Sequence, residues 1–329
     1  MERVVTGKRI LVTGAAGFIG SNLVEDLLAH DNEVVGLDNF STGFEENLTP
    51  FLKHKGFTFI QGDIRDVEAC KAAVQGVDFV LHQAALGSVP RSIKDPVSTN
   101  DVNVGGFLNM LQAAKDEGVK RFVYATSSSV YGDEQRLPKV EAKIGKPLSP
   151  YAVSKSVNEM YAKVFGDLYD METIGLRYFN VFGQRQDPQG AYAAAIPRFI
   201  QHFISHQSPT IHGDGTQSRD FTYIKNVIHA NHIAMLTTNP VATNEVYNVA
   251  YGKSTNLNEL VELLQGMLVP FDEKIASVEV VYGPERVGDV RHSLASIVKA
   301  ETILGYRPTY DLRSGLTEAI SWYWERLKE

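Results

Sequence analysis

The chain has 329 residues and a mass of 36.4 kDa, enough for two domains or one large one. Hydrophobic residues at 43% and charged residues at 22% exclude global disorder, and a net charge of −7 argues against a broad surface for nucleic acid or anionic membrane. No apolar run approaches the ~18 residues of a membrane span, and the single cysteine, Cys70, sits in a helical pattern as a small hydrophobe without a disulfide partner.

Short apolar runs and helical patterns alternate through the first half. Strands are expected at Arg9–Thr13, Glu33–Leu37, Phe57–Gln61, Phe79–His82, Arg121–Ala125 and Glu172–Leu176, and helices near Gly17–His30, Asp66–Val74, Pro96–Glu117 and Ser149–Tyr169. Strand then helix, repeated, implies right-handed crossovers and an α/β fold, a doubly wound parallel sheet. After Asn180 the pattern changes. Helices are expected near Ala191–His206, Ile224–Thr237, Leu257–Leu268, Ala295–Leu304 and Leu312–Lys328, with a polar loop over 212–220 between two short strands. We therefore expect a Rossmann domain over 1–180 and a smaller mixed α/β domain over 181–329, leaving open whether the chain crosses back.

Gly14, Gly17 and Gly20 lie where the first strand ends and the first helix begins. Glycines there allow a tight turn and the close approach of a pyrophosphate to a helix N-terminus, which supplies N–H groups and a positive dipole end. Asp38 ends the second strand, where a carboxylate accepts ribose hydroxyls and repels a 2′-phosphate. No basic residue follows in 39–43, so NAD is expected rather than NADP. Asp63 and Ile64, after the third strand, are placed to meet adenine.

Tyr151 and Lys155 are four residues apart on a helix and so share a face. An ammonium near a phenol favours the phenolate and makes tyrosine a usable acid or base. Ser127 and Ser128, after the fifth strand, lie at the sheet edge where ligands bind. His212 is not read as a metal ligand, because HGDG offers no partner at ligand spacing; no metal is expected.

With TGAAGFIG (13–20), LDNFSTG (37–43), GDIRD (62–66), HQAA (82–85), SSSVYG (127–132), YAVSK (151–155), LRYFNVFG (176–183) and RDFTYI (219–224) in order, the chain resembles the extended short-chain dehydrogenase/reductases. Within them it is most similar to UDP-hexose 4-epimerases, particularly those acting on N-acetylated sugars. The resemblance implies Ser127, Tyr151 and Lys155 as the catalytic set. It implies Phe18, Ile19, Asn39, Ser41, Thr42, Gly43, Gln83, Ala84, Ala85, Leu86, Phe179 and Val181 as further NAD contacts. Asn103 fits the family's helix pattern, while Val102 replaces a polar contact found in some relatives. For the UDP-sugar the resemblance implies Gly87, Ser88, Asn180, Phe199, Thr210, His212, Arg219, Arg286 and Asp289. Ser293 stands where a bulky tyrosine excludes a C2 N-acetyl group, so UDP-GlcNAc and UDP-GalNAc are the expected pair. Ser128-Ser129 stand where 4,6-dehydratases carry Asp-Glu, which favours redox-neutral epimerisation. A uronate epimerase or decarboxylase, and a silent NAD-binding protein, are the alternatives. The resemblance also implies a homodimer through the helices near 96–117 and 149–169, and composition and lack of a signal-peptide pattern suit a cytoplasmic enzyme of glycan precursor supply.

Overall fold

The computed structural model describes residues 3–187, 194–285 and 291–328. Seven parallel strands form the central sheet: β1 (Arg9–Thr13), β2 (Glu33–Asp38), β3 (Phe57–Gln61), β4 (Phe79–His82), β5 (Arg121–Ser127), β6 (Thr173–Tyr178) and β7 (Glu245–Val249). Their order is β7-β6-β5-β4-β1-β2-β3, so the winding reverses between β1 and β4. Side chains alternate across the pleat. Leu11, Val35, Val80 and Phe122 pack with Phe107 and Leu111 on one face; Ile10, Val12, Leu81 and Val123 pack with Leu23, Leu27 and Val227 on the other. Both faces are covered, which is why the strands read as near-continuous apolar runs.

The helices are α1 (Phe18–Ala29), α2 (Val67–Val74), α3 (Val89–Lys94), α4 (Pro96–Asn100), α5 (Phe107–Glu117), α6 (Pro150–Tyr169), α7 (Ala195–Ile204), α8 (Ile224–Leu236), α9 (Leu257–Leu268) and α10 (Leu312–Lys328). Local chemistry sets several starts. Ser149 caps α6 by accepting from Ala152 N–H at 3.1 Å, with Pro150 at the first helical position. Asn256 and Glu259 form a capping box on α9.

Three expectations need correction. The single helix over 96–117 is α4, a π-helical turn at Asp101–Gly106, and α5. Within that turn the Asn103 carbonyl accepts from the Asn158 side chain at 2.7 Å, and Ile64 fills the space where a Cβ on Gly106 would lie 2.5 Å from its Cγ1. The helix expected from Ala295 does not begin there, because Ala295 N–H goes to Asp220 at 3.1 Å and Ser296 N–H to the Lys139 carbonyl at 2.9 Å. Strand β7 lies in a stretch not read as a strand, and through it the second half of the chain returns to extend the sheet beside β6.

Candidate functional site

At the reversal of winding, a cleft of about 310 Å³ opens beyond the carboxyl ends of β1, β2, β3 and β4. Its walls include Gly14, Gly17, Phe18, Ile19, Gly20, Asp38, Asn39, Ser41, Thr42, Asp63, Ile64, Gln83, Ala84, Ala85, Leu86 and Gly87, with Val102 closing one side. Gly14 has φ +68°, and a Cβ on Gly20 would lie 2.0 Å from the Gly14 carbonyl oxygen, so this turn closes only on glycine. No side chain caps the first turn of α1, and no acidic residue lies in it. Gln83 Oε1 is buried without a partner. First-turn N–H groups left uncapped, an orphaned acceptor at Gln83 and the Asp38 carboxylate together fit a dinucleotide.

Asp38 is held in place. Its Oδ2 accepts from Ala16 N–H at 2.9 Å and its Oδ1 from Phe40 N–H at 2.8 Å, fixing β2 against the glycine turn. Burial pushes its carboxyl up while these N–H groups pull it down. Each oxygen keeps a second lone pair for a ligand hydroxyl. Asp63 is drawn down to about 2 by a two-point pair with Arg65, at 3.1 and 2.7 Å, and also accepts from Asn39 at 2.8 Å.

Not every expected contact reaches the cleft. Gly43 lies behind the turn, where a Cβ would meet the Ala16 carbonyl carbon at 2.8 Å. Asn103 spends its amide on its neighbours: its oxygen accepts from Leu86 N–H at 2.7 Å, and its nitrogen donates to the Leu86 carbonyl and Ser154 Oγ, both at 3.1 Å. It shapes the Leu86 wall rather than facing a ligand. Phe179 is fully buried against Val130, Tyr131 and Ala250, and lines neither this cleft nor the next cavity. Val181 lines the next cavity instead.

Ser127 ends β5, and Tyr151 and Lys155 follow one turn apart on α6. Ser127 Oγ accepts from Ser129 N–H at 3.1 Å, which leaves its own proton to donate. That hydroxyl meets the Tyr151 phenol in a hydrogen bond that lowers its pKa, against burial, which raises it more. Lys155 is not what acidifies Tyr151 here, as the i,i+4 argument supposed. Its ammonium donates to the Ala125 carbonyl at 2.9 Å, and burial draws its own pKa down to about 8. Below this set lies a carboxylate that sequence reasoning passed over. Glu159, the next turn of α6, accepts from Thr126 Oγ1 at 2.7 Å and from Arg177 at 2.9 and 2.7 Å, and opposes the fall in the Lys155 pKa. The continuation of the four-residue spacing, Tyr151-Lys155-Glu159, is the signal that could have found it. His82, beneath the cleft, takes a hydrogen bond at Nδ1 from Thr13 at 3.0 Å and stays neutral, burial drawing it down to about 3.

A second cavity, about 260 Å³, is lined by Asn180, Val181, Phe199, Thr210, His212 and Arg219 among others. Phe199 is 1% exposed, a core residue that also forms part of this wall. Ser88 caps α3 with φ +99°, a strained backbone for a serine, and Ser128 begins a 3₁₀ turn after β5. Ser293 does not line the cavity, but its N–H donates to the Ser218 carbonyl at 3.0 Å, which places it beside the Arg219 strand. Arg286 and Asp289 lie outside the described residues.

Cys70 is buried and its thiol pushed up to about 12 by burial. Asp26, His30 and His232 come together where α1 meets α8. His232 Nδ1 accepts from Val5 N–H at 3.0 Å, so in the neutral ring Nε2 carries the proton toward Asp26 at 2.5 Å. That tautomer makes the group a tie between helices rather than a metal cage. Among the described residues no helix is long and apolar enough to cross a membrane.

A model of the NAD dependent epimerase/dehydratase family matches residues 10–250. A putative UDP-glucose 4-epimerase of Methanocaldococcus jannaschii is 39% identical over 95% of this chain and 97% of its own. A UDP-N-acetylglucosamine 4-epimerase from Methanobrevibacter ruminantium M1, solved with UDP-N-acetylmuramic acid, superposes with a TM-score of 0.90 at 38% identity, covering 98% of this chain and 100% of that one. A UDP-glucuronic acid 4-epimerase from Bacillus cereus, solved with UDP-glucuronic acid and NAD, gives a TM-score of 0.86 at 31% identity over 97% and 99% of the two chains.

Proposed function

The chain belongs to the NAD dependent epimerase/dehydratase family, and from that premise we propose that it inverts C4 of a UDP-hexose, with UDP-GlcNAc and UDP-GalNAc the preferred pair. The observation that carries the chemistry is the Ser127 hydroxyl, oriented by Ser129 N–H and facing the Tyr151 phenol. NAD, when bound, supplies a reversible hydride acceptor at C4. Tyr151 takes the proton of the 4-hydroxyl and later returns it to the C4 oxygen, after the 4-keto ring has turned about its diphosphate link to present its other face for reduction at carbon. Ser127 donates to the C4 oxygen throughout. Lys155, one turn below the phenol, would help to hold the cofactor. Ser128 and Ser129 offer no acid or base for removing a C5 proton, which supports epimerisation over dehydration.

Arg219, on the wall of the second cavity, is the diphosphate contact in this reading, and the family resemblance adds Arg286 and Asp289 to the substrate contacts. Asn180, Thr210, His212 and Phe199 receive the rest of the nucleotide sugar. The M. ruminantium neighbour supports an acetylated sugar, and the B. cereus neighbour makes UDP-glucuronate the necessary competitor in any assay. The deciding experiment follows UDP-GlcNAc, UDP-Glc and UDP-GlcUA by proton NMR with NAD-loaded protein. Accumulation of UDP-GalNAc ahead of the other two products is expected; fastest conversion of UDP-GlcUA would overturn the choice of sugar.

Two predictions belong to this reading. Ser293→Tyr would extend a ring from the segment beside the Arg219 strand toward the C2 acetamide, and should lower the ratio of kcat/KM for UDP-GlcNAc over UDP-Glc by roughly tenfold or more, at least the lower end of the ~1–3 kcal/mol that one methylene decides. A constant ratio would remove Ser293 as the gate. Asp38→Ala should weaken NAD and narrow its preference over NADP, because the carboxylate supplies both ribose hydrogen bonds and repulsion of a 2′-phosphate. Calorimetry with both cofactors is the check, and unchanged affinities would assign the preference elsewhere.

We further propose a homodimer. Val153, Met160, Val164 and Leu168 leave an exposed apolar stripe along α6, and Val97 on α4 is 69% exposed. Light scattering should give twice 36.4 kDa.

A further inference from the structure

Asp220 closes the short strand Ser218–Asp220 and is fully buried. Its Oδ1 accepts from the N–H groups of Tyr251 and Gly252, both at 3.2 Å; its Oδ2 accepts from Gly252 N–H at 3.2 Å and Ala295 N–H at 3.1 Å. Its backbone carbonyl accepts from the Asn180 amide at 3.1 Å. The preceding residue, Arg219, donates to the carbonyls of Ser218 at 3.0 Å and Arg291 at 3.2 Å. The same strand is laced to 291–295 by Ser218 N–H to the Arg291 carbonyl and Ser293 N–H to the Ser218 carbonyl, both at 3.0 Å. One carboxylate therefore gathers the strand of Arg219, the turn after β7 and the segment of Ser293.

We propose that Asp220 is the positioning residue that sets the distance between the diphosphate contact at Arg219 and the sugar contact at Ser293, and thereby the enzyme's discrimination at C2 of the sugar. This rests on the UDP-hexose reading of the site. The chemistry asks for a carboxylate and not an amide, because N–H groups approach both oxygens. An asparagine must turn its NH₂ toward either Ala295 N–H or the Tyr251–Gly252 pair, donor against donor in a buried place. Keeping the pair releases Ala295, two residues from Ser293. Burial pushes the Asp220 carboxyl up to about 7 against the pull of these N–H groups, so acid has the same effect on the native protein: a protonated oxygen no longer accepts from the N–H it faces. The charged and titratable groups around it are Arg219 on its own strand, Lys253 in the 251–253 turn, Tyr306, whose phenol burial and Asp220 push well up, and His292, whose ring meets Ser218 Oγ at 3.0 Å.

The test compares wild-type and Asp220→Asn, both NAD-loaded, on UDP-GlcNAc and UDP-Glc, with hydrogen exchange read over 291–296. Asp220→Asn should raise KM severalfold, with a smaller change in kcat, because Arg219 and the 291–295 segment lose their common anchor. The ratio of the two specificity constants should move toward one, and exchange at 291–296 should quicken. Because Asp220→Asn could fail to fold, the wild type is also followed from pH 8 to pH 6. The same ratio should drift toward one with a midpoint near 7, and still do so in His292→Gln; titration of Tyr151 or Lys155 is common to both substrates and cancels. A ratio and an exchange rate that Asp220→Asn leaves unmoved, or, where it does not fold, a pH-independent wild-type ratio, overturns this proposal alone. A wild type that inverts neither sugar overturns it together with the reading it rests on.

Discussion

Tyr151→Phe is expected to slow C4 inversion by ~10²–10⁴-fold, the usual contribution of a positioned acid/base group. The ring stays, so packing on α6 and the binding of UDP-sugar should change little. What disappears is the one oxygen that meets Ser127 and exchanges a proton with the substrate. Turnover by NMR and circular dichroism on the same preparation separate lost chemistry from lost fold. A variant that keeps near-native kcat would remove Tyr151 from the proton path.

Glu159→Gln should be the most destabilising single change near the site. Arg177 is 3% exposed at its side chain and directs two nitrogens at this carboxylate. Removing the charge leaves a buried guanidinium uncompensated, at a cost of about 3–5 kcal/mol read by urea denaturation. Replacing both partners, Glu159→Leu with Arg177→Met, should cost less than the sum of the two single changes. The pH profile adds a sign. Lys155, drawn down to about 8, is protonated below that value and neutral above it, and Glu159 resists the fall. Without the carboxylate the alkaline limb of kcat should therefore move to lower pH. A limb that stays in place would limit Glu159 to packing.

The sheet and the nucleotide cleft were legible because their signals are local. Strands β1 to β6 carry short apolar stretches, and Gly14, Gly17 and Gly20 announce a strand-to-helix turn by spacing alone. Residues whose meaning comes from partners far along the chain were not legible. Strand β7, EVYNV, breaks its apolar residues with Glu245 and Asn248, and its neighbour β6 lies about 70 residues earlier. Asn103 looks like a polar ligand contact until Leu86 and Ser154 are seen to use its amide. Phe179 looks like a wall residue until the fold turns it into the Tyr131 cluster. Ala295 carries helical character, but its N–H is claimed by a carboxylate 75 residues away.

Strand β7 also bears on how the protein is made. During synthesis β6 leaves the ribosome about 70 residues ahead of the strand that pairs with its outer side. At about 5–20 residues per second that interval lasts ~3–14 s. Throughout it the nascent sheet carries a row of unpaired N–H and C=O groups along β6, an adhesive edge in a crowded polysome. The long α6 is already complete then, and it carries the exposed apolar stripe as well. A chain arrested before Glu245 emerges should accordingly be a better chaperone client and protease substrate than one arrested after Val249, and a frameshift in this interval should yield an aggregating fragment rather than a stable nucleotide-binding half.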